Sequence, residues 1–171
     1  MDYKKLLIQQ QTLNGTTYSN VGTAKDTQAA FHVVCQEFPF IRLPEAKEVA
    51  VYDWPDEDGE DMYLPSVIKH KAYDLDATFL YVGTQENMNS ELNDFIDFLF
   101  GRNENGSPLL AVYDEYTQTG RRGVYVKSVD NELFVYDTAN AEVVGQFKVK
   151  FRVSDPVHEI VKQNGSIVWV G

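Results

Sequence analysis

VVGQFKVKFRVSDP (143–156) alternates apolar and basic side chains with a period of two. The apolar positions are Phe147, Val149, Phe151 and Val153, and the basic positions are Lys148, Lys150 and Arg152. Because successive side chains of a strand point to opposite faces, this pattern predicts a half-buried β-strand with a basic outer face. Asp155-Pro156 ends the strand, since proline lacks a backbone donor and restricts the residue before it.

Other segments predict further strands of the same kind. AYDLDATFLYVG (72–83) places Tyr73, Leu75, Ala77, Phe79 and Tyr81 on one face, and Asp74, Asp76 and Thr78 on the other. Shorter strands are predicted at VAVYDW (49–54), MYLPSV (62–67), LLAVYDEY (109–116), RGVYVKSV (122–129) and ELFVYD (132–137). In HEIVKQNGSIVWVG (158–171), Asn164-Gly165 separates two apolar runs and predicts a two-residue hairpin.

One segment, NSELNDFIDFLFGR (89–102), has a strong helical pattern. Its apolar residues Leu92, Phe95, Ile96 and Leu99 are spaced i, i+3, i+4, i+7 and would lie on one helix face. Asn89 or Ser90 is the predicted N-cap, and Gly101 is the predicted stop. We therefore expect one amphipathic helix at about 90–100, packed on a sheet.

The N-terminal part of the chain has weaker signals. LNGT (13–16) predicts an early turn, and DTQAAFHVVCQEFPF (26–40) fits either a short helix capped by Asp26 or an irregular strand running to Pro39. We favour a strand in the second half of that segment. The expected fold is α+β and β-rich: an antiparallel β-sandwich or flattened barrel with one helix. A single domain would span 1–171, with 1–25 as a candidate irregular N-terminal arm and 157–171 as a C-terminal hairpin.

Composition and charge limit the classes of function. The chain has 171 residues, 43% of them hydrophobic, and a formal net charge of −11. That charge argues against tight nucleic-acid binding, which needs clustered Lys and Arg. MDYKKLLIQQQ at the start has no secretion signal, and no apolar run is long enough for a membrane span, so we expect a protein kept inside the cell. Cys35 stands alone, which excludes an intramolecular disulfide and predicts a small buried hydrophobe.

YDWPDEDGEDMYLP (52–65) raises the question of a metal site. It holds six acids around one glycine: Asp53, Asp56, Glu57, Asp58, Glu60 and Asp61. An EF-hand alignment fails, because Gly59 at loop position 6 puts Trp54 at position 1 and Pro65 at position 12. Asp58-Gly59 instead predicts a hairpin turn with a solvated acidic tip. A looser calcium site at Asp56, Asp58 and Glu60 is the alternative.

No motif indicates catalysis, a cofactor or a metal. His32, His70 and His158 are far apart and lack zinc-ligand spacing, and there is no G-x-S-x-G signature. GTAKDT (22–27) lacks the geometry of a phosphate-binding loop. TGRRGVYV (119–126) puts Arg121 and Arg122 in a glycine-bounded turn, where an arginine could bind a carboxylate of a partner. We therefore do not expect an enzyme.

Five segments, taken in order, resemble a known class of proteins. They are YDWPDEDGEDMYLP, KAYDLDATFLYVG, ELNDFIDFLFG, LLAVYDEYTQTGRRGVYV and GQFKVKFRVSDPV. Together they are similar to tail structural proteins, of the tail-tube or distal-tail type, from long-tailed phages and prophages of Bacteroides-type bacteria. The resemblance covers roughly residues 26–157 and rests on the order of the segments.

The resemblance implies a tail-tube-like fold and a structural role in the virion tail, for a protein made in the cytoplasm of the bacterial host. Copies would form a homo-oligomeric ring, usually a hexamer, next to other tail proteins. DNA would pass through the ring without specific binding, and the acidic charge suits such a channel. Assignment among tail tube, distal tail, tail tip and tail completion stays open.

The resemblance also names candidate contacts between subunits. The hairpin at 49–67 would bridge subunits, and its acids would meet Arg121, Arg122 or the Lys148/Lys150/Arg152 face of a neighbour. SIVWVG (166–171) would either add an edge strand to a neighbour or stay within its own chain. The candidate contact residues are Asp56, Glu57, Asp58, Glu60, Asp61, Arg121, Arg122 and Trp169. The alternative function is a small β-sandwich binding module for carbohydrate or a calcium-dependent ligand, suggested by Trp54 and ten tyrosines.

Overall fold

The computed structural model describes residues 5–130, 134–137 and 142–170. In chain order its elements are β1 (Leu6–Asn14), β2 (Thr17–Asp26), α1 (Thr27–Phe31), β3 (Val33–Glu37), β4 (Ala50–Tyr52), β5 (Asp61–Tyr63), β6 (Tyr73–Thr84), α2 (Gln85–Phe100), β7 (Leu109–Asp114), β8 (Thr119–Val129), β9 (Phe134–Asp137), β10 (Glu142–Val153), β11 (Glu159–Gln163) and β12 (Ser166–Val168).

The strands form one large antiparallel sheet and one separate hairpin. The main sheet has the order β2-β1-β7-β8-β10-β6-β3, with β9 on β10, β11 on β8 and β12 on β11. Strands β4 and β5 pair only with each other. The β-rich α+β class is confirmed. Within the described residues the edge strands β2 and β3 do not pair, so the sheet is not closed into a barrel.

The two alternating segments lie at the centre of the sheet. Strands β6 and β10 pair from Tyr73↔Val153 to Thr84↔Glu142. The predicted inward residues are all buried: Tyr73, Leu75, Ala77, Phe79, Tyr81, Phe147, Val149, Phe151 and Val153. Thr78, which the pattern placed on the outer face, is also buried, because β3 pairs beside it. Period-two alternation therefore located the core of this fold.

Helix α2 covers the inner face of the sheet, but it starts earlier than the sequence pattern indicated. It spans Gln85–Phe100 with Thr84 as N-cap, so the predicted caps at Asn89 and Ser90 were wrong. The physical reason is that β6 runs directly into the helix, and Met88 extends the apolar face that packs on the core. Gly101 ends the helix with φ of 73°, as predicted.

Residues 6–26 form strands β1 and β2, joined by a turn at Gly15-Thr16 as predicted, so the irregular N-terminal arm at 1–25 was wrong for its described part. Strand β1 was not predicted, because its three consecutive glutamines, Gln9 to Gln11, interrupt the hydrophobic pattern. They are buried and hydrogen-bonded; Gln10, for example, donates to the Phe98 carbonyl at 2.8 Å. After β2, the side chain of Asp26 caps α1, and β3 follows α1. In the segment 26–40, the first half is therefore the predicted short helix and the second half contains the predicted strand.

Both ends of the sheet contribute to a single core. It includes Leu6 and Ile8 of β1 near one edge, and Val33 of β3 at the other. Helix α1 connects the two edge strands directly and contacts β1, β2 and β3. The sheet therefore curves around its core without closing.

The C-terminal hairpin and the remaining strands are close to prediction. β11 and β12 are joined by Asn164-Gly165, both with positive φ, as a two-residue turn of this type requires. Of the predicted strand at 132–137, residues 134–137 are a strand, whereas 132 and 133 lie outside the described residues. Gly171 of the predicted hairpin also lies outside them.

Candidate functional site

A hairpin stands apart from the main sheet, and we call residues 45–71 the acidic hairpin. Its base is held by hydrogen bonds from the Lys47 amide to the Lys69 carbonyl (2.7 Å) and from the Lys71 amide to the Glu45 carbonyl (2.8 Å). Further out, β4 pairs with β5. Neither strand packs extensively on another helix or strand, and every residue from 50 to 69 is exposed. The hairpin therefore projects from the domain.

The tip of the acidic hairpin, residues 53–61, differs from the tight turn predicted at Asp58-Gly59. Tyr52 pairs with Asp61, so eight residues connect the strands. The predicted strands 49–54 and 62–67 were too long, because Pro55 and Pro65 each lack the backbone donor that a longer ladder needs. Gly59 adopts φ of 78°, which is consistent with its prediction as a turn residue.

The tip concentrates negative charge. Residues 48–68 contain seven acids and no Lys, Arg or His, so they account for −7 of the net −11 and leave −4 for the rest of the chain. The candidate residues Asp56, Glu57, Asp58, Glu60 and Asp61 are all exposed. Within the described part of the chain none of them forms an ion pair; Asp61 accepts a hydrogen bond from Trp54 Nε1 at 3.1 Å.

Apolar side chains are also exposed on the acidic hairpin. Met62 and Tyr63 are 66% and 68% exposed, and the rings of Tyr52 and Trp54 lie against each other with centroids 4.1 Å apart and planes tilted by 33°. The full set is Val51, Tyr52, Trp54, Met62, Tyr63, Leu64, Val67 and Ile68. Large apolar groups clustered on one exposed element are typical of a surface that another molecule covers.

The structure offers little for a calcium site at the tip. Among the described residues no group of three or more His, Cys, Asp or Glu side chains is arranged to hold a metal ion. Asp56, Asp58 and Glu60 are thus close in sequence without converging on one point.

Arg121 and Arg122 lie in strand β8, so their placement in a turn was wrong. The turn ends at residue 118, because β7 and β8 pair up to Asp114↔Thr119. Arg121 is buried and its Nη1 lies 3.3 Å from Glu159 Oε1. Arg122 Nε donates to Asp155 Oδ2 at 2.9 Å, and its guanidinium lies over the Tyr18 ring. Both candidate contacts are thus engaged within their own chain.

Trp169, another candidate contact, also packs on its own chain. With Ile167 and Leu7 it covers the small buried cluster of Ala111, Tyr113 and Ile160. Its carbonyl accepts a hydrogen bond from Gln11 Nε2 at 2.8 Å. The intramolecular reading of the C-terminal strand therefore describes β12 in this structure.

The basic outer face of β10 is partly neutralised by β6. Lys150 faces Asp76 and Arg152 faces Asp74 across the strand pair. Asp74 contacts both Arg152 and Lys127 at 3.0 Å. Hydrogen bonds from Lys127 and Arg152 lower the pKa of Asp74 below its usual value. This face is therefore a mixed surface, not a free basic patch.

Sequence reasoning missed a second basic surface, which we call the basic cleft. It has a volume of about 650 Å³ and lies where the base of the acidic hairpin meets the end of β10. Its basic residues are Lys47, Lys69, His70, Lys71, Arg152 and His158. No spacing rule links residues so far apart, although the Lys-His-Lys run at 69–71 was a local signal.

The charges in the basic cleft are unevenly paired. Within the described residues, Lys47 and Lys69 form no ion pair, and Lys71 is 3.6 Å from Glu45, an exposed partner. The one acid in the cleft, Asp155, already contacts Arg122 and His158. Burial alone would raise the pKa of Asp155, but hydrogen bonds from Arg122 and His158 outweigh burial and lower it. The cleft therefore presents a net positive surface on an acidic protein.

A separate polar cluster joins α1, α2 and β6 at the end of β6 that leads into α2. Tyr81 donates a hydrogen bond to Glu91 Oε2 at 2.6 Å, and His32 Nδ1 lies 2.9 Å from Glu91 Oε1. Burial, followed by the bond to Glu91, raises the pKa of Tyr81 to about 12. A neutral phenol that donates to a carboxylate is suited to holding elements together, and it is poorly suited to proton transfer near pH 7.

No helix in the described residues has the length and apolar character needed to cross a membrane. Neither a family model, nor a curated protein, nor a solved structure matches this chain.

Proposed function

We propose that this chain is a structural subunit that self-assembles into a ring, as a tail-tube, distal-tail or tail-tip component of a long-tailed phage. The observation that carries the proposal is the acidic hairpin, which projects from the domain with exposed acids at its tip and apolar side chains along its length. Exposed apolar surface of this kind is costly in an isolated copy and is covered in an assembly.

The charge distribution supports the same role. Residues 48–68 of the acidic hairpin carry more than half of the net charge, −7 of −11. Acids that meet a basic surface on a neighbour would set the register of assembly, and the remaining negative charge would let DNA pass without binding. The phage setting itself rests on the sequence resemblance over residues 26–157.

Native mass over a concentration series tests the proposal. Light scattering and negative-stain microscopy on the same fractions should give rings or short stacks as concentration rises. The matched control is a variant in which residues 53–60 are replaced by a short Asn-Gly turn, which keeps the domain and removes the tip. A chain that stays monomeric at every concentration, with or without its tip, would contradict self-assembly.

A binding module is the second candidate, and one observation favours it. The neighbouring rings of Tyr52 and Trp54 are exposed on the acidic hairpin and could pack against a sugar ring. Glycan-array binding that is lost in Trp54→Ala, together with a monomeric wild type, would favour this role over assembly.

A further inference from the structure

We propose that the basic cleft of one copy binds the acidic tip of a neighbouring copy. This inference rests on the proposed self-assembly and adds the receiving surface. It also replaces the earlier candidates for that surface, because Arg121 and Arg122 are engaged within their own chain, and on β10 Arg152 is ion-paired with Asp74 and Lys150 lies across from Asp76.

Charge identifies the occupant. The cleft presents Lys47 and Lys69 without an ion pair from the described residues, beside Lys71, Arg152 and His158. The tip presents acids that also lack ion pairs there, and both surfaces are exposed. Juxtaposed charges of opposite sign attract most within a Debye length of about 8 Å at physiological salt, where the overall repulsion between two acidic copies is screened.

Geometry assigns the tip to a different copy. The cleft lies at the base of the same hairpin, where the Lys47 amide bonds to the Lys69 carbonyl. At about 3.3 Å per residue, the ten residues from Lys47 to Glu57 extend up to about 33 Å. The tip cannot fold back onto its own base without breaking the pairing of β4 with β5. A cleft of about 650 Å³ has the size of sites that hold ligands of a few residues.

The contact has the symmetry that a ring needs. The tip and the cleft are different surfaces of the chain, so each copy inserts its tip into one neighbour and binds the tip of another neighbour in its cleft. Such head-to-tail contacts produce a closed ring when the rotation between copies closes, and a filament when it does not. Flanking apolar residues of the hairpin, such as Tyr63 and Leu64, would be covered beside the exposed Val157 at the rim of the cleft.

Charge reversal tests the pairing in the full chain. In Lys47→Glu/Lys69→Glu, and separately in Asp56→Lys/Asp58→Lys, we expect the concentration for half-assembly to rise at least tenfold over wild type. Mixing the two variants should restore assembly, because the unchanged acidic tip of one variant then meets the unchanged basic cleft of the other, and the introduced lysines meet the introduced glutamates. Lys25→Glu/Arg102→Glu is the control with the same change in net charge, since both side chains are exposed and lie outside the cleft.

A cross-link measures the contact directly. Asp58→Cys mixed with Lys69→Cys should form a disulfide-linked dimer, whereas Asp58→Cys mixed with Lys25→Cys should not. This pairing would be overturned if wild type assembles, the cleft and control reversals have equal effects, and no selective cross-link forms. Self-assembly itself would still hold in that case. A wild type that never assembles would contradict the proposed function itself, and this inference with it.

Nucleic acid is the competing occupant of a basic cleft. A short DNA duplex is therefore tested for binding to wild type and to Lys47→Glu/Lys69→Glu. If the wild type binds the duplex, and the variant loses this binding while its assembly is unchanged, the cleft is a phosphate-binding site and the proposal is overturned. We expect no such binding, because the protein as a whole repels a polyanion.

Discussion

Arg121 Nη1 lies 3.3 Å from Glu159 Oε1, and the arginine side chain is 2% exposed whereas the glutamate side chain is 33% exposed. Arg121 Nη2 also donates to the Ile41 carbonyl at 3.3 Å. The pair therefore ties β8 to β11 and to the segment that leads into the acidic hairpin. A buried guanidinium needs a counter-charge, so Glu159, its one acidic partner among the described residues, matters for stability.

Removing that partner should destabilise the domain. We expect Glu159→Gln to lower the free energy of unfolding by about 1–3 kcal/mol, because a buried cation would lose its counter-charge. Thermal unfolding should show a fall in Tm of about 2–4 °C per kcal/mol. Glu104→Gln, at an exposed glutamate without an ion pair in the described residues, is the control and should change little. Equal effects of the two variants would contradict a structural role for the pair.

Alkaline pH should weaken the fold through Tyr81. Its pKa in the folded chain is about 12, whereas an unfolded tyrosine titrates near 10. The folded state therefore holds the proton more tightly, so this stabilisation is complete below about pH 10 and is lost as pH rises toward 12. Urea unfolding of wild type and Tyr81→Phe across this range should show a smaller pH-dependent loss in the variant. Identical slopes would mean that Tyr81 is not the group responsible.

Two glycines with similar backbone angles should differ in their tolerance of alanine. Gly101 has φ of 73°, and an added Cβ would lie 2.5 Å from backbone atoms of Ser107 and Pro108. Gly59 has φ of 78° but no atom within 4 Å of such a Cβ. We expect Gly101→Ala to cost about 2–4 kcal/mol, from backbone strain and steric overlap, and Gly59→Ala about 1 kcal/mol from strain alone. Chemical denaturation measures both, and a larger loss at Gly59 would be inconsistent with this packing.

Cys35 should react slowly in the folded protein. Burial raises the pKa of its thiol to about 12, so little thiolate is present at pH 8. Labelling with a thiol-reactive aromatic disulfide should be at least tenfold slower in the native chain than in guanidinium. Labelling at the unfolded rate would show that Cys35 is accessible, and the cross-linking variants would then also need Cys35→Ala.

Trp54 should report assembly. The chain has two tryptophans, Trp54 on the acidic hairpin and Trp169 directly after β12. In Trp169→Phe, emission comes from Trp54 alone, which is 42% exposed. We expect a blue shift as concentration rises, because assembly would cover the hairpin. Unchanged emission in fractions that light scattering identifies as oligomers would place the hairpin outside the interface.

Local patterns predicted the elements whose signal is carried by neighbouring residues. Alternation in β6 and β10 identified the central strands and their buried faces, and Asn164-Gly165 and Gly101 marked a turn and a helix end. The start of α2 was missed because the helix continues a strand and its N-cap, Thr84, makes no side-chain capping hydrogen bond, and because Met88 lay outside the recognised pattern. Strand β1 was missed because three of its buried residues are glutamines, which do not contribute to a hydrophobic pattern. Their burial is possible because their side chains form hydrogen bonds in the folded chain.

The sequence by itself determined the β-rich class, the central strands and the acidic character of the hairpin tip, because each depends on residues that are adjacent or regularly spaced. Only the tertiary structure decided which charges are available for contact. Folding pairs Arg121 with Glu159 and Arg122 with Asp155, and it brings Lys47, Lys69 and His158 to one cleft. The energy of a charge depends on its burial and on partners distant in the chain, and neither is encoded in local spacing.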